Sequence, residues 1–272
     1  MNVKQSPWLR LLVWTAAIAA ALPLLLLVLW SLTNRWPAPL LFPEAFSGRG
    51  WQRLFSGYFN VGQIAAYSIG VSLLVGALSA AIAALASRAL CLYAFPGKRL
   101  LETLAMLPVV VPATVFGMGS NLFFVRLGLG GSLTAVVLCH LIITLPFTLR
   151  IMLETTRLAS FRLEEQARAL GASPLAGFWH GALPALAPGL LSATAVAFLF
   201  SYAQYFLTLV LGGGKVKTLA LLVMPLIGGS DRTISSAYSL LFILSAAGVF
   251  ALLQGLAALA ARYTGKQLGG TP

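Results

Sequence analysis

Acidic side chains are scarce in this chain: Asp and Glu together number 6 among 272 residues, and charged types of both signs reach only 9%. An ordinary soluble domain carries about 25% charged residues and covers its core with them. That cover cannot be made here, which excludes a soluble enzyme. Cysteine is nearly missing as well. Cys91 lies in a short basic stretch and Cys139 inside an apolar run, so there is neither a disulfide framework nor a metal-binding spacing. His140 and His180 stand alone, and metal chemistry has no support. No low-complexity tract, internal repeat or separate soluble domain is visible.

Basic residues are the exception, with 18 Lys and Arg giving a formal net charge of +12. Nucleic-acid binders cluster such charge on one face or in a tail. Here it sits in the gaps between apolar blocks, where it sets topology and meets anionic headgroups. Lipid is the expected partner, and nucleic acid is not.

What the chain has in abundance is apolar sequence, 59% of it hydrophobic. Charge-free stretches run 11–34, 54–87, 103–125, 127–149, 181–214 and 233–261. Each exceeds the roughly 20 helical residues that cross about 30 Å of hydrocarbon. One ionised residue at mid-bilayer costs about 2.5–3.5 kcal/mol on insertion scales, so six clean runs are not an accident. The expected fold is an all-α membrane protein, a single domain over 1–272, with spans near 11–32, 61–87, 101–125, 132–153, 185–210 and 235–260. The first run is too long for a signal peptide, and Asn34-Arg35-Trp36-Pro37 follows it instead of a small-x-small cleavage site. It reads as a retained helix.

Six spans put both termini on one side. Cytoplasmic termini place Lys4, Arg10, Arg88, Lys98, Arg99, Arg150, Arg157, Arg162, Arg168, Arg262 and Lys266 inside, and leave Arg35, Arg49, Arg53, Arg126, Lys215, Lys217 and Arg232 outside. That bias favours cytoplasmic termini. The 33–60 segment, with Trp36, Pro37, Pro39, Pro43, Trp51 and Tyr58, becomes an external loop with interfacial aromatics.

Between spans four and five the apolar pattern breaks. Glu164 to Leu170 reads as a short amphipathic helix of good helix formers. Gly171 ends it, because glycine adopts the left-handed closing conformation without penalty. Ser173-Pro174 then reads as an N-cap with proline at the first helical position, opening a second short helix. Pro184 and Pro188 restart the chain into span five. Taken alone, this could be an amphipathic loop lying on the headgroups.

The spacing points further. Glu165-Gln166-Ala167, three residues, Gly171, nine residues, then Gly181-Ala182-Leu183-Pro184 resembles the EAA loop of ABC importer permeases. That pattern is Glu-Ala-Ala, three residues, Gly, nine residues, Ile-x-Leu-Pro. Two positions depart from it: Gln166 replaces the first Ala, and Gly181 replaces the aliphatic residue, which is expected to weaken the second helix. The resemblance extends from the proline-rich third span, Leu107-Pro108 to Val111-Pro112, through the sixth. Ser201-Tyr202-Ala203-Gln204-Tyr205 and the glycine-rich stretch after it look most like the iron, thiamine, sulfate and spermidine-type branch.

The resemblance implies a type I importer permease fold, with a cytoplasmic coupling-helix loop over 162–181 between spans four and five. It implies an inner-membrane subunit without cofactor or catalytic residues, coupled to a separate cytoplasmic ATP-binding subunit. An external substrate-binding protein and a second permease subunit, identical or sister, complete the assembly. The residues carried over for ATPase coupling are Glu165, Gln166, Ala167, Gly171, Ser173, Pro174, Leu183 and Pro184. Glu165 is expected to pair with a basic residue of the ATPase or with Arg168.

Ser201, Gln204, Tyr205 and Thr208 fall at i, i+3, i+4 and i+7 on span five, and Thr194 extends that face. Polar groups are costly against lipid, so the stripe faces protein or a watery path; a pathway lining is the preferred reading. Thr114, Met118 and Asn121 form a similar face on span three, where lining and interhelical bonding stay equally open. Gly76, Ala80 and Ala84 form a small-residue packing row. Gly212-Gly213-Gly214-Lys215 lacks the upstream glycine and the Ser or Thr of a phosphate loop, so this chain is not expected to bind ATP.

No acidic residue falls in a span core, Glu102 and Glu154 lying near span ends. This disfavours polyamines and proton-coupled transport, and a small polar or anionic solute is expected. A stand-alone carrier or channel, in which the 162–181 loop would lack a purpose, and a non-transporting scaffold are the alternatives.

Overall fold

The computed structural model describes residues 7–34, 36, 42–57, 60–159 and 162–267. Lys4, Arg35, Pro37, Pro39 and Tyr58 lie outside the described residues. The described chain is helical, with one isolated antiparallel bridge between Thr33 and Phe46. In order, the helices are α1 (Pro7–Ser31), α2 (Arg49–Phe55), α3 (Val61–Leu92), α4 (Lys98–Val110), α5 (Ala113–Arg126), α6 (Leu133–Leu158), α7 (Arg162–Ala169), α8 (Pro174–Gly177), α9 (Leu183–Tyr202), α10 (Phe206–Gly212), α11 (Leu219–Ile227) and α12 (Arg232–Gln267). A π-helical turn, Phe178–Ala182, joins α8 to α9.

Five helical stretches are long and apolar enough to cross a bilayer, and six if the bent pair α4 and α5 counts as one. That pair covers the span expected over 101–125. It bends by 102° where Val111 turns extended (φ −80°, ψ 126°) ahead of Pro112, because a proline ring excludes helical geometry from the residue before it. The span expected over 185–210 is also interrupted, α9 stopping at Tyr202 and α10 starting at Phe206. Two short helices were not anticipated, α2 inside the 33–60 segment and α11 between spans five and six. At nine residues α11 rises only about 14 Å, too short for a hydropathy-and-length reading to count it.

By its internal packing the chain divides into two compact units, Met1–Gln63 with Leu222–Leu244, and Ile64–Leu221 with Ser245–Pro272. α1 is apolar on every side and so has no distinct face to bury; its most apolar 18-residue window has no residue buried within the chain.

In the first unit, Arg49 organises the polar contacts, its Nη2 lying 3.0 Å from Asp231 Oδ1 and 2.9 Å from the Asn34 carbonyl. α2 lies close on the start of α12: a Cβ built on Gly50 would fall 2.7 Å from the Thr233 carbonyl oxygen.

The second unit is a bundle in which α6 packs against α9, α10 and α4, and α10 against α5. Hydroxyl pairs tie α3 to α6 inside it. Ser79 Oγ lies 2.9 Å from Thr148 Oγ1 and 3.1 Å from Thr144 Oγ1, and Ser87 Oγ lies 2.8 Å from Thr156 Oγ1. The two sets sit eight residues apart on both helices, two turns along one seam. Such pairs contribute about 0.6 kcal/mol each in a membrane. α3 meets α9 at Gly76, where a Cβ would fall 2.8 Å from the Thr194 carbonyl oxygen.

Candidate functional site

The 162–181 segment is built from local signals. α7 carries Glu164 and Glu165 in its first turn and Arg168 in its last, matching the helix dipole at both ends. Gly171 has φ +87°, the left-handed value that closes a helix cheaply only for glycine. The Ser173 hydroxyl accepts a bond from Ala176 N at 3.3 Å, and Pro174 occupies the first turn of α8. The second short helix is not separate, however. Pro174–Tyr202 is one helical stretch of 29 residues. Pro184 lacks an N–H and crowds the carbonyl four residues before it. The π turn just ahead widens the helix, with Leu183 N donating to the Phe178 carbonyl five residues back, so the chain continues where a restart was expected.

α7 lies against this stretch on a smooth strip made by Gly177 and Gly181. A Cβ on Gly181 would fall 2.8 Å from the Glu164 nitrogen and 2.9 Å from its Cα, and one on Gly177 would fall 3.4 Å from Glu164 Cγ. Gly181 therefore does not merely weaken a helix, as expected from sequence; its missing side chain is the space that α7 occupies.

The electrostatic centre is Glu164, only 5% exposed. Arg88 Nη2, from the end of α3, lies 3.1 Å from each carboxylate oxygen, and Arg168 Nη2 lies 2.8 Å from one of them. The Arg88 guanidinium also sits 5.2 Å above the Phe178 ring, within cation–π range. Deleting one partner of such a buried pair strands the other, at a cost of about 3–5 kcal/mol.

The residues carried over from the family pattern lie outward of this centre. Glu165, Gln166, Gly171, Ser173 and Pro174 are exposed, while Ala167, Leu183 and Pro184 are half-buried. Arg168 pairs with Glu164 one turn back, not with Glu165 as proposed from sequence: positions i and i+4 share a face, and that face here meets the bundle. Beside the exposed positions stand three large apolar side chains the sequence reading missed, Leu170 (89% exposed), Leu175 (66%) and Trp179 (55%).

The polar stripe of span five is not one helical face, since the chain leaves the helix at residues 203–205. Ser201 and Thr208 are interior, both bonded to His140: Nδ1 lies 2.9 Å from Ser201 Oγ, and Nε2 lies 3.3 Å from Thr208 Oγ1. With 3% and 1% exposure, both are enclosed by protein within this chain. Thr208 also donates to the Gln204 carbonyl at 2.7 Å, satisfying a backbone group that the break would leave bare in hydrocarbon. Gln204 and Tyr205 are half-buried in the break itself. Thr194 bonds its own turn at the Leu190 carbonyl and faces Gly76. On α5, Thr114 and Met118 are exposed and Asn121 half-buried, while Gly117 is covered by Phe206 and Leu207 of α10. Among the described residues no group of His, Cys, Asp and Glu could hold a metal ion.

A bundle of apolar helices with hydroxyl seams and a broken helix closed by side-chain bonds defines a multi-pass α-helical membrane protein. The chain belongs to the family of binding-protein-dependent transport system inner membrane components, whose model matches residues 76–264. It is similar to the probable sulfate transport system permease protein cysT of Marchantia polymorpha, at 31% identity over 42% of this chain and 43% of the relative. It is also similar to the molybdenum transport system permease protein ModB of Mycobacterium tuberculosis, at 34% identity over 55% of this chain and 62% of the relative. These alignments span about half the length of the curated relatives. A crystal structure of a bacterial ABC transporter involved in import of the acidic polysaccharide alginate shares the fold, with a TM-score of 0.68, 19% identity, and coverage of 90% of this chain and 94% of that chain.

Proposed function

We propose that the chain is the membrane-spanning permease subunit of an ATP-driven, binding-protein-dependent importer, forming half of a path for a small polar or anionic solute. The observation that carries this reading is the bent helix pair over 162–181. Its inner side is fixed to the bundle through Glu164 and the glycine strip. Its outer side presents Leu170, Leu175 and Trp179 among polar residues, a combination that fits a protein-docking surface better than a solvated loop. A loop resting on headgroups would not need a buried ion pair at its base.

In this reading the segment and both termini are cytoplasmic, in the inner membrane of a bacterial cell. Glu165, Gln166, Ala167, Gly171, Ser173 and Pro174 meet a separate ATPase subunit that hydrolyses the nucleotide, and Leu183 and Pro184 pass its motion into α9. Thr114, Met118, Asn121, Gln204 and Tyr205 line the path shared with a second permease subunit, which is identical or a sister chain. An external binding protein delivers the solute. The sulfate and molybdenum systems named for the relatives support an oxyanion as the first solute to test.

The test is co-expression with a candidate ATPase subunit, co-purification, and uptake of labelled sulfate and molybdate into proteoliposomes with the binding protein added. ATP-dependent uptake is expected. ATP-independent flux from the isolated chain would make it a carrier or channel, and absence of both flux and ATPase binding would make it a scaffold.

A further inference from the structure

Arg88 stands where three parts of the second unit meet. It ends the long helix α3, its guanidinium reaches the buried Glu164 of α7 at 3.1 Å to both oxygens, and the same group covers the Phe178 ring in the π turn. Arg88 and Glu164 side chains are 14% and 6% exposed, so solvent cannot substitute for either partner. No other ion pair of the described residues is as enclosed: Arg49–Asp231 and Arg157–Glu154 have both partners more than a third exposed. Around this pair the backbones are in contact, α7 resting on Gly177 and Gly181. At the residue just before Arg88, the α3–α6 hydroxyl seam ends at Ser87 and Thr156. A displacement of α7 therefore meets an unbroken series of short, enclosed contacts leading into α3.

From this we propose that Arg88 and Glu164 are positioning residues that join the 162–181 helix pair to span two, so that α3 moves with the pair when its ATPase partner closes. This rests on the reading of 162–181 as the ATPase-coupling segment. It adds that force enters the bundle through α3 as well as along the helix that continues into α9. The geometry suits that task, because the one nitrogen Nη2 is shared between both carboxylate oxygens while the guanidinium plane is held over Phe178. A lysine at residue 88 would keep the charge but lose the planar group that stacks on Phe178.

The experiment uses the full complex with its ATPase in proteoliposomes, and needs no knowledge of the solute. In a chain whose cysteines are replaced by alanine, Met118→Cys or Thr114→Cys reports exposure through its rate of labelling by a membrane-impermeant maleimide. The rate is measured without nucleotide and with ATP plus vanadate. A nucleotide effect of about tenfold is expected in the parent chain, in the range of ordinary coupling between sites. Arg88→Gln and Arg88→Lys are expected to reduce it to about twofold or less while the ATPase still co-purifies and hydrolyses ATP. The exchanged pair Arg88→Glu with Glu164→Arg, made in an Arg168→Ala background to remove repulsion, is expected to restore most of it.

Full nucleotide response in Arg88→Gln would overturn the joint, and so would loss that tracks poor assembly in every variant with no recovery in the exchanged pair. A parent chain that binds no ATPase, or whose labelling ATP leaves unchanged, sinks the permease reading first and the joint with it. The two failures are thus separable.

Discussion

The backbone of Glu164 rests directly on Gly181: a side-chain carbon on that glycine would fall 2.8 Å from the Glu164 nitrogen. Any residue larger than glycine at position 181 must push α7 outward. Gly181→Ala is expected to cost about 1–3 kcal/mol, as overpacking does elsewhere, and Gly181→Ile to cost more. Thermal unfolding of the purified chain measures this. A neutral Gly181→Ile would mean that α7 does not lie where the structure has it.

Gly171 behaves differently, because nothing lies within 4 Å of the Cβ position there and only its φ of +87° constrains it. Gly171→Val is expected to lose most ATP-driven uptake, with a local strain of about 1–3 kcal/mol. Gly171→Asn is expected to be milder, since asparagine tolerates left-handed backbone. Equal loss in both variants would point to crowding by a partner in place of backbone strain.

The exposed apolar group separates binding from folding. Leu170→Ser and Trp179→Ala are expected to change stability of the isolated chain by less than about 0.5 kcal/mol. Retention of the ATPase on a chain-affinity column should fall about 30-fold in affinity, as loss of an interface anchor does. Unchanged retention would remove these two side chains from the docking surface.

His140 makes the fourth case. Its two ring nitrogens bridge the ends of the broken helix, Ser201 before the break and Thr208 after it. A double-mutant cycle of His140→Ala with Ser201→Ala is expected to give a coupling of about 0.6–1.7 kcal/mol, the range for polar pairs inside membrane bundles. Zero coupling in the folded chain would remove the bridge.

Much of this was legible beforehand wherever the cause is local. The helix through Glu164, its end at Gly171 and the Ser173-Pro174 start depend on residues within one turn of each other. They appear in the structure as α7, the φ of +87° and the Ser173 cap. Contacts between distant residues were not legible. Arg88 and Glu164 are 76 positions apart, and nothing in either neighbourhood marks the pairing. His140 looked isolated in an apolar run, although Thr144 and Thr148 follow it on the same helical face, and that polar row was the available signal. The break at 203–205 contains neither Gly nor Pro; tertiary hydrogen bonds hold it open, so no residue there announces it. Pro112 marks the place of the bend after Val111, but no residue there announces its 102° size.

The uninterrupted helix from Pro174 to Tyr202 has a geometric consequence. Its 29 residues make a rod about 43 Å long at 1.5 Å per residue. Its near end carries the exposed Leu175 and Trp179, and its far end is the gap where Gln204 and Tyr205 sit. Tilting the rod about 10° around one end sweeps the other by roughly 7 Å, more than the width of a water molecule. A small rocking motion at one end is thereby enlarged at the other without any further moving part.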